Sequence, residues 1–196
     1  MYNTIEKPSF AEYKDRGSRF LAYAFPIQTA DEFKVQLQTL KKEHPKAAHH
    51  CFAYRLGTDG NTHRVSDDGE PSGTAGKPML GQLDTRQLIN AAIVVVRYFG
   101  GTLLGVPGLI NAYKSAAAMA LQLTPMVQKQ VMALYRLSFD YTRMNEVMMV
   151  VKQFGCDVRS QESLLFCEVV VAIPKSRLDE VVFKLKELRL DTVIAL

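Results

Sequence analysis

The sequence predicts an α+β protein of two domains, 1–128 and 129–196, and three features carry that prediction. In the last third, apolar residues alternate between a period of two and a period of about 3.6, as strands and helices do when they follow one another. Residues 91–96 are apolar almost without interruption, as in a strand covered on both faces. Thr29-Ala-Asp-Glu32 is a capping box that opens a helical stripe.

In the first domain, residues 20–27 read as a strand, and Phe33, Leu37 and Leu40 form one face of the helix opened by the capping box. That helix ends before Pro45, because a residue preceding proline resists the α region. Residues 51–56 read as a strand and 57–60 as a turn, followed by a long loop over 64–77 and a helix near 79–88. After the apolar strand over 91–98, Pro107 suits the first turn of a helix that passes through Ala112, Ala116 and Leu121 and stops at Thr124-Pro125. Residues 126–130 read as a linker.

In the second domain, Ala133, Tyr135, Leu137, Phe139 and Tyr141 alternate as one face of a strand. Met144, Val147, Met148 and Val151 recur at helical spacing, with Gly155 positioned to end that helix. A strand over 156–161 is followed by one over 164–173, and Ser176-Arg-Leu-Asp179 reads as the N-cap of a second helix. Leu178, Val181, Val182, Leu185 and Leu188 form the apolar stripe of that helix, and 190–196 closes with a strand. The order β-α-β-β-α-β is the ferredoxin-like split arrangement.

Hydrophobic residues at 47% and charged residues at 22% are ordinary globular values. No apolar run approaches the ~20 residues of a membrane span, and the N-terminus has no signal-peptide pattern. Three cysteines without paired spacing suit a reducing compartment; Cys156 and Cys167 could face one another, but a disulfide is not expected there. The expectation is a cytoplasmic protein with no membrane partner; the sequence leaves its oligomeric state open. Residues 1–130 hold 15 Lys/Arg against 11 Asp/Glu, and 131–196 hold nine of each, so the whole net charge of +4 lies in the first domain. Such a balance permits a nucleic-acid surface without requiring one.

Two glycine-dense segments carry formal charge where backbone amides are exposed: RVSDDGEPSGTAGKP at 64–78 and VVVRYFGGTLLGVPGLINAY at 94–113. In the first, Asp67, Asp68 and Glu70 have three readings: holding magnesium, acting as acid and base, or bonding the loop's own amides. A phosphate-binding P-loop is excluded, because Pro71 stands where its first glycine belongs and Pro78 follows Lys77. In the second, a strand, a glycine turn and a helix start make an anion site, to which Arg97 adds a bidentate donor. Arg97 could equally lock Asp67 or Asp68 and tie the two segments together. His49, His50 and Cys51, with His63 at a distance, lack the tight ligand pairs of a zinc site. Tyr54, Tyr98, Phe99 and Tyr113 suit base stacking or the core.

Ser66 to Gly76 (SDDGEPSGTAG) and Arg97 to Gly101 (RYFGG), with Ser18-Arg19-Phe20 and HHCFAYR at 49–55, resemble the signature of the YigZ/IMPACT family over nearly the whole chain. The resemblance implies an N-terminal domain of the ribosomal-protein/RNase PH type. For bacterial members it implies a ferredoxin-like domain after it, similar to the last domain of elongation factor G. It also implies a place near translation, since eukaryotic members regulate protein synthesis through the stress-response kinase pathway. The chain departs from common members at Pro107-Gly108, where a glycine pair is usual, and at Asn111, where a basic residue is frequent. Those departures favour capture of an anion by backbone rather than by side-chain charge.

Two functions of different class follow. The first is a non-catalytic cytosolic regulator without a cofactor, binding RNA, the ribosome or a translation-related protein through a cleft in the first domain. Its lining would be Arg64, Ser66, Asp67, Asp68, Gly69, Glu70, Ser72, Gly73, Thr74, Gly76, Lys77, Arg97, Tyr98, Gly100 and Gly101. The second is a magnesium-dependent enzyme acting on a phosphorylated small molecule or nucleotide. There Asp67, Asp68 and Glu70 would hold the metal, and Lys77 and the Gly100-Gly101 turn the phosphate. A pure protein-interaction adaptor would share the first architecture.

Overall fold

The structure, a computed structural model, describes residues 1–163 and 166–196, and it divides into two compact units, Met1–Lys129 and Gln130–Leu196. Helix and strand contribute in similar measure, in an α+β arrangement.

The first unit is built on a five-stranded antiparallel sheet. Its strands are β2 (Ser9–Asp15), β3 (Ser18–Pro26), β4 (His49–Leu56), β5 (Thr62–Ser66) and β6 (Ala91–Tyr98), in the spatial order β2-β3-β6-β4-β5. The apolar strand β6 lies at the centre, and helices cover both of its faces. On one side α1 (Ala30–Glu43) packs Phe33 against Phe52 and Tyr54, with ring centroids 4.8 and 4.7 Å away. On the other side lie α2 (Gly76–Thr85) and α3 (Gly105–Gln122). There Ala22, Ala24 and Ala53 of the sheet share one core with Ala112, Ala116, Ala117 and Ala120 of α3. Small side chains on both surfaces let helix and sheet approach closely at interior packing density.

Thr29 caps α1 by accepting from the Glu32 N–H, and Glu32 returns a bond to the Gln28 N–H rather than to Thr29 itself. The helix stops at Glu43, ahead of Pro45. Helix α2 begins at Gly76, three residues before the expected Met79, and Arg64 to Ser66 belong to β5 instead of the loop. Strands β1 (Tyr2–Ile5), β2 and β5 were not expected from the sequence. The expected linker at 126–130 is a correction: Met126–Lys129 form β7, which pairs antiparallel with β1. A four-residue strand whose burial pattern is mostly exposed has no alternation strong enough to announce itself.

In the second unit the order is β8 (Met132–Phe139), α4 (Met144–Gln153), β9 (Asp157–Ser163), β10 (Cys167–Pro174), α5 (Leu178–Glu187) and β11 (Thr192–Ala195). The sheet order β11-β8-β10-β9 places the first and third strands of the unit at its centre, the ferredoxin-like arrangement. Leu137, Phe139, Val169 and Val171 of the sheet meet Val147, Val151, Val181 and Leu185 of the two helices. Strand β8 ends before Tyr141, because Asp140 accepts from the Thr142 N–H and opens a helical turn. Ser176 is not the cap of α5; it lies inside a short 3-10 turn at Lys175–Arg177, and no side chain caps that helix. The expected strand over 164–173 starts on residues outside the described ones and is β10 from Cys167. The ladder sets Cys167 opposite Ser163, so Cys156 lies at the far end of β9 from it.

Candidate functional site

Sheet register brings the signature segments together. Across β3, β6 and β4, Phe20 pairs with Arg97 and Arg97 pairs with His49, so these three side chains form a row on the face covered by α2 and α3. Arg97 donates from Nη1 to Glu70 Oε1 at 2.6 Å, and the two side chains are 6% and 3% exposed. Tyr113, fully buried on α3, donates its hydroxyl to the same oxygen at 2.7 Å. His49 donates from Nδ1 to the Asp68 carbonyl at 2.8 Å, which turns its Nε2 toward Glu70 Oε1 at 3.8 Å. The Arg97 guanidinium also reaches Ser18 Oγ at 3.4 Å and lies 5.4 and 5.6 Å from the ring centroids of Phe20 and Phe99. The partner of Arg97 is therefore Glu70, not Asp67 or Asp68.

Asp67 has a different task. Its Oδ2 accepts from the Gly73 N–H at 2.8 Å, and its Oδ1 accepts from Ala75 at 3.0 Å and Gly76 at 2.8 Å. It thus satisfies the orphan amides where α2 begins, with a charge of the sign that the helix dipole favours. Partial burial opposes ionisation, but the N–H groups of Gly73, Gly76 and Ala75, with Lys77 nearby, outweigh it and hold the carboxyl below its ordinary value. Position 76 has room for glycine alone, because a Cβ there would lie 2.9 Å from Val65 Cβ and 3.0 Å from the Ser66 nitrogen.

Replacing Asp67 with Asn should cost about 1–2 kcal/mol at neutral pH. Because the folded value is lowered, the contribution is complete above the unfolded-state value and is lost as pH falls through the folded one. The gap in urea midpoint between wild type and Asp67→Asn should accordingly hold at neutral pH and close in acid. A gap independent of pH would show that the charge plays no part in the cap.

Asp68, at φ +41°, accepts the His50 N–H on Oδ2 at 2.6 Å, and Lys41 Nζ lies 4.0 Å from Oδ1. Thr74 closes the turn after Pro71 by bonding its carbonyl through both N–H and hydroxyl, at 3.1 and 2.7 Å. Cys51, within 2.9 Å of the Asp67 carbonyl and 3.3 Å of the Tyr113 hydroxyl, is held by burial well above the ordinary thiol range. Burial, with Cys51 and Glu70 beside it, likewise keeps Tyr113 a neutral donor. Neither is set up as a nucleophile.

The structure distributes the expected lining residues unevenly. Glu70, Thr74, Gly76 and Arg97 are buried, while Ser72, Lys77, Gly100 and Gly101 are exposed and Ser66 and Gly73 lie between. Two residues are elsewhere. Tyr98 points to the α1 face, its hydroxyl 3.0 Å from His44 Nδ1, because it neighbours Arg97 on a strand and so faces the other way. Arg64 pairs with Tyr54, whose ring packs on α1, and so stands on that same face. Gly69, at φ +88°, sits over His49. The three carboxylates proposed for magnesium are aimed at separate protein donors: α2 amides, the His50 amide, and Arg97 with Tyr113. Among the described residues no three His, Cys, Asp or Glu side chains are grouped as metal ligands, the His49, His50, Cys51 and His63 set included. Ser18, His49, Cys51 and Tyr113 complete the network without having been expected as site residues. Cross-strand register places His49 beside Arg97, while Tyr113 reaches Glu70 through the packing of α3 on the sheet.

The Impact N-terminal domain family model matches residues 16–121, which include every residue of this network. This chain belongs to the IMPACT family. An IMPACT family member of Haemophilus influenzae is 39% identical over 76% of this chain and 74% of its own. The family member YigZ of Escherichia coli is 33% identical over 87% and 84%, and YvyE of Bacillus subtilis 38% identical over 74% and 67%. A crystal structure described only as that of a hypothetical protein, 31% identical, covers 100% of this chain and 96% of its own at a TM-score of 0.77. A structure titled as the two-domain translational regulator Yih1 is 29% identical over 62% of this chain and 47% of its own. Its TM-score of 0.37 is too low to carry an argument about architecture. In this IMPACT family chain the signature segments form one hydrogen-bonded keystone joining β3, β4, β6, α2 and α3. Among the described residues, no helix is long and apolar enough to cross a membrane.

Proposed function

We propose that this protein is a non-catalytic factor of the protein-synthesis machinery that contacts RNA through exposed cations around the keystone. One observation carries the reading. Within the signature segments Arg97 is bonded to Glu70, and Asp67 and Asp68 are held by backbone amides, whereas lysines and an arginine nearby are exposed. Lys41, Lys42 and Lys46 cluster at the end of α1 and the turn after it, Arg64 stands on the α1 face of β5, and Lys77 lies in the first turn of α2. The unit that carries them holds the entire net charge of +4. The family's link to protein synthesis supports the same reading. Arg97, which as a bidentate phosphate donor would need to be open, is buried and belongs to folding instead.

The test is co-sedimentation with ribosomes and with ribosomal RNA across a salt series. Binding should fall steeply with salt, and the combined substitution Lys41→Ala/Lys42→Ala/Lys77→Ala should flatten the log–log slope by about 2–3, roughly 0.9 per phosphate contact removed. An unchanged slope, or no binding at low salt, would remove the RNA contact from this function.

A further inference from the structure

The loop between β6 and α3 leaves apolar side chains in solvent that the keystone does not use. Phe99 is 51% exposed, Leu103 82%, Val106 52% and Ile110 38%. Val106, Ile110 and Lys114 follow one another at four-residue spacing along α3, starting in its first turn, and so form one row. Exposed large apolar residues grouped in this way mark interaction surfaces, whereas scattered ones need no explanation.

The patch is held on a firm base. Phe99 lies against the Arg97 guanidinium, and the Gly100 N–H donates to Ser18 Oγ at 3.2 Å. A Cβ on Gly100 would come within 1.9 Å of Gly17, so the β2–β3 hairpin tip is pressed against the loop, and it brings exposed Arg16 alongside. Charge on the loop and on α3 has one sign. Within the first unit, residues 85–129 contain no Asp or Glu, although the chain holds 20 in 196 residues. At the hairpin tip Glu12 is bonded to Arg19 and Lys14, leaving Asp15 as the one carboxylate without a partner there. Among the described residues Arg16 and Lys114 enter no ion pair.

From this surface we propose that the patch docks an acidic amphipathic helix of a protein partner, with its apolar face on Phe99, Leu103, Val106 and Ile110 and its carboxylates beside Arg16 and Lys114. The site uses none of the cations assigned to RNA and goes beyond that reading. A second copy of the chain fits poorly, because a two-fold contact would set these cations against themselves. Two cations fall short of the four to eight that hold a segment to an anionic membrane. Aliphatic side chains outnumber the single ring that a base could stack on.

Two synthetic helices of equal length, each with leucine on one face and either glutamate or lysine on the other, should be titrated against the full chain by fluorescence anisotropy. The glutamate helix should bind about tenfold more tightly than the lysine helix, and Leu103→Ser/Ile110→Ser should weaken it about tenfold at an unchanged melting temperature. Arg16→Glu/Lys114→Glu, which leaves the apolar side chains in place, should invert the preference between the two helices. Equal affinities, or binding that both double variants retain, would overturn the proposal. So would a dimer that Ile110→Glu dissolves, or ribosomal RNA or anionic-vesicle binding that Leu103→Ser/Ile110→Ser abolishes.

Discussion

Arg97→Ala should lower the stability of the N-terminal unit by about 3–5 kcal/mol, as removing one partner of a buried ion pair does. The side chains of Arg97 and Glu70 are almost without solvent contact, so the truncation strands a carboxylate whose one remaining neutral donor is Tyr113. Glu70→Ala should cost a similar amount, leaving the guanidinium with Ser18 Oγ at 3.4 Å. In melting temperature each loss corresponds to roughly 10–20 °C for a unit of this size. Arg97→Lys should recover little, because an ammonium cannot address Glu70 and Ser18 at once. The double substitution Glu70→Leu/Arg97→Met leaves no unpaired charge and should lie well above the sum of the two single losses. Urea unfolding followed through amide exchange in β6 reads this unit by itself. Single losses below about 1 kcal/mol, or additive losses, would mean that the pair does not hold the motifs together.

Most of this architecture was legible in the sequence, and the site was legible only in outline. Periodicity was enough for the second unit, since Leu137, Val147, Val169, Val181 and Leu185 repeat at the spacing of the elements that bury them. The central strand announced itself through its apolar run and α1 through its cap. What failed was whatever depends on partners distant along the chain. The short ribbon of β1 and β7 has no pattern of its own and exists because Tyr2 to Ile5 meet Lys129 to Met126. Two linked motifs were visible, with Arg97 as the link. Its partner is Glu70 because Asp67, directly after β5, is claimed by the amides of α2, leaving Glu70 to turn inward. The same one-residue logic misplaced Tyr98: adjacent residues on a strand face opposite ways, so a contiguous RYFGG motif cannot present Arg97 and Tyr98 to one ligand. A contiguous run of polar and aromatic residues reads as a site, while alternation divides it between two cores.

The glycines of that motif separate a packing role from a binding role. An alanine Cβ at position 100 would stand 1.9 Å from the Gly17 carbonyl carbon, 2.2 Å from the Ser18 nitrogen and 2.3 Å from the Gly17 oxygen. All three are backbone atoms, so no side chain can rotate away. The β2–β3 hairpin must instead lift from the loop, which breaks the bond from the Gly100 N–H to Ser18 and loosens the Ser18 contact to Arg97. Gly100→Ala should therefore cost about 3 kcal/mol or more, the upper end of overpacking, with a part-buried hydrogen bond lost in addition. Gly101→Ala is the control. Its φ of +87° is unfavourable for alanine, but nothing lies within 4 Å of the added carbon, so about 1 kcal/mol is expected. A glycine kept for close approach of an anion would give the opposite ranking: little stability lost at Gly100, and binding lost at both. Measuring the two unfolding midpoints beside RNA affinity at low salt decides between these accounts. If Gly100→Ala folds as well as wild type, the hairpin does not rest on this loop, and the rigid base assigned to the apolar patch is gone as well.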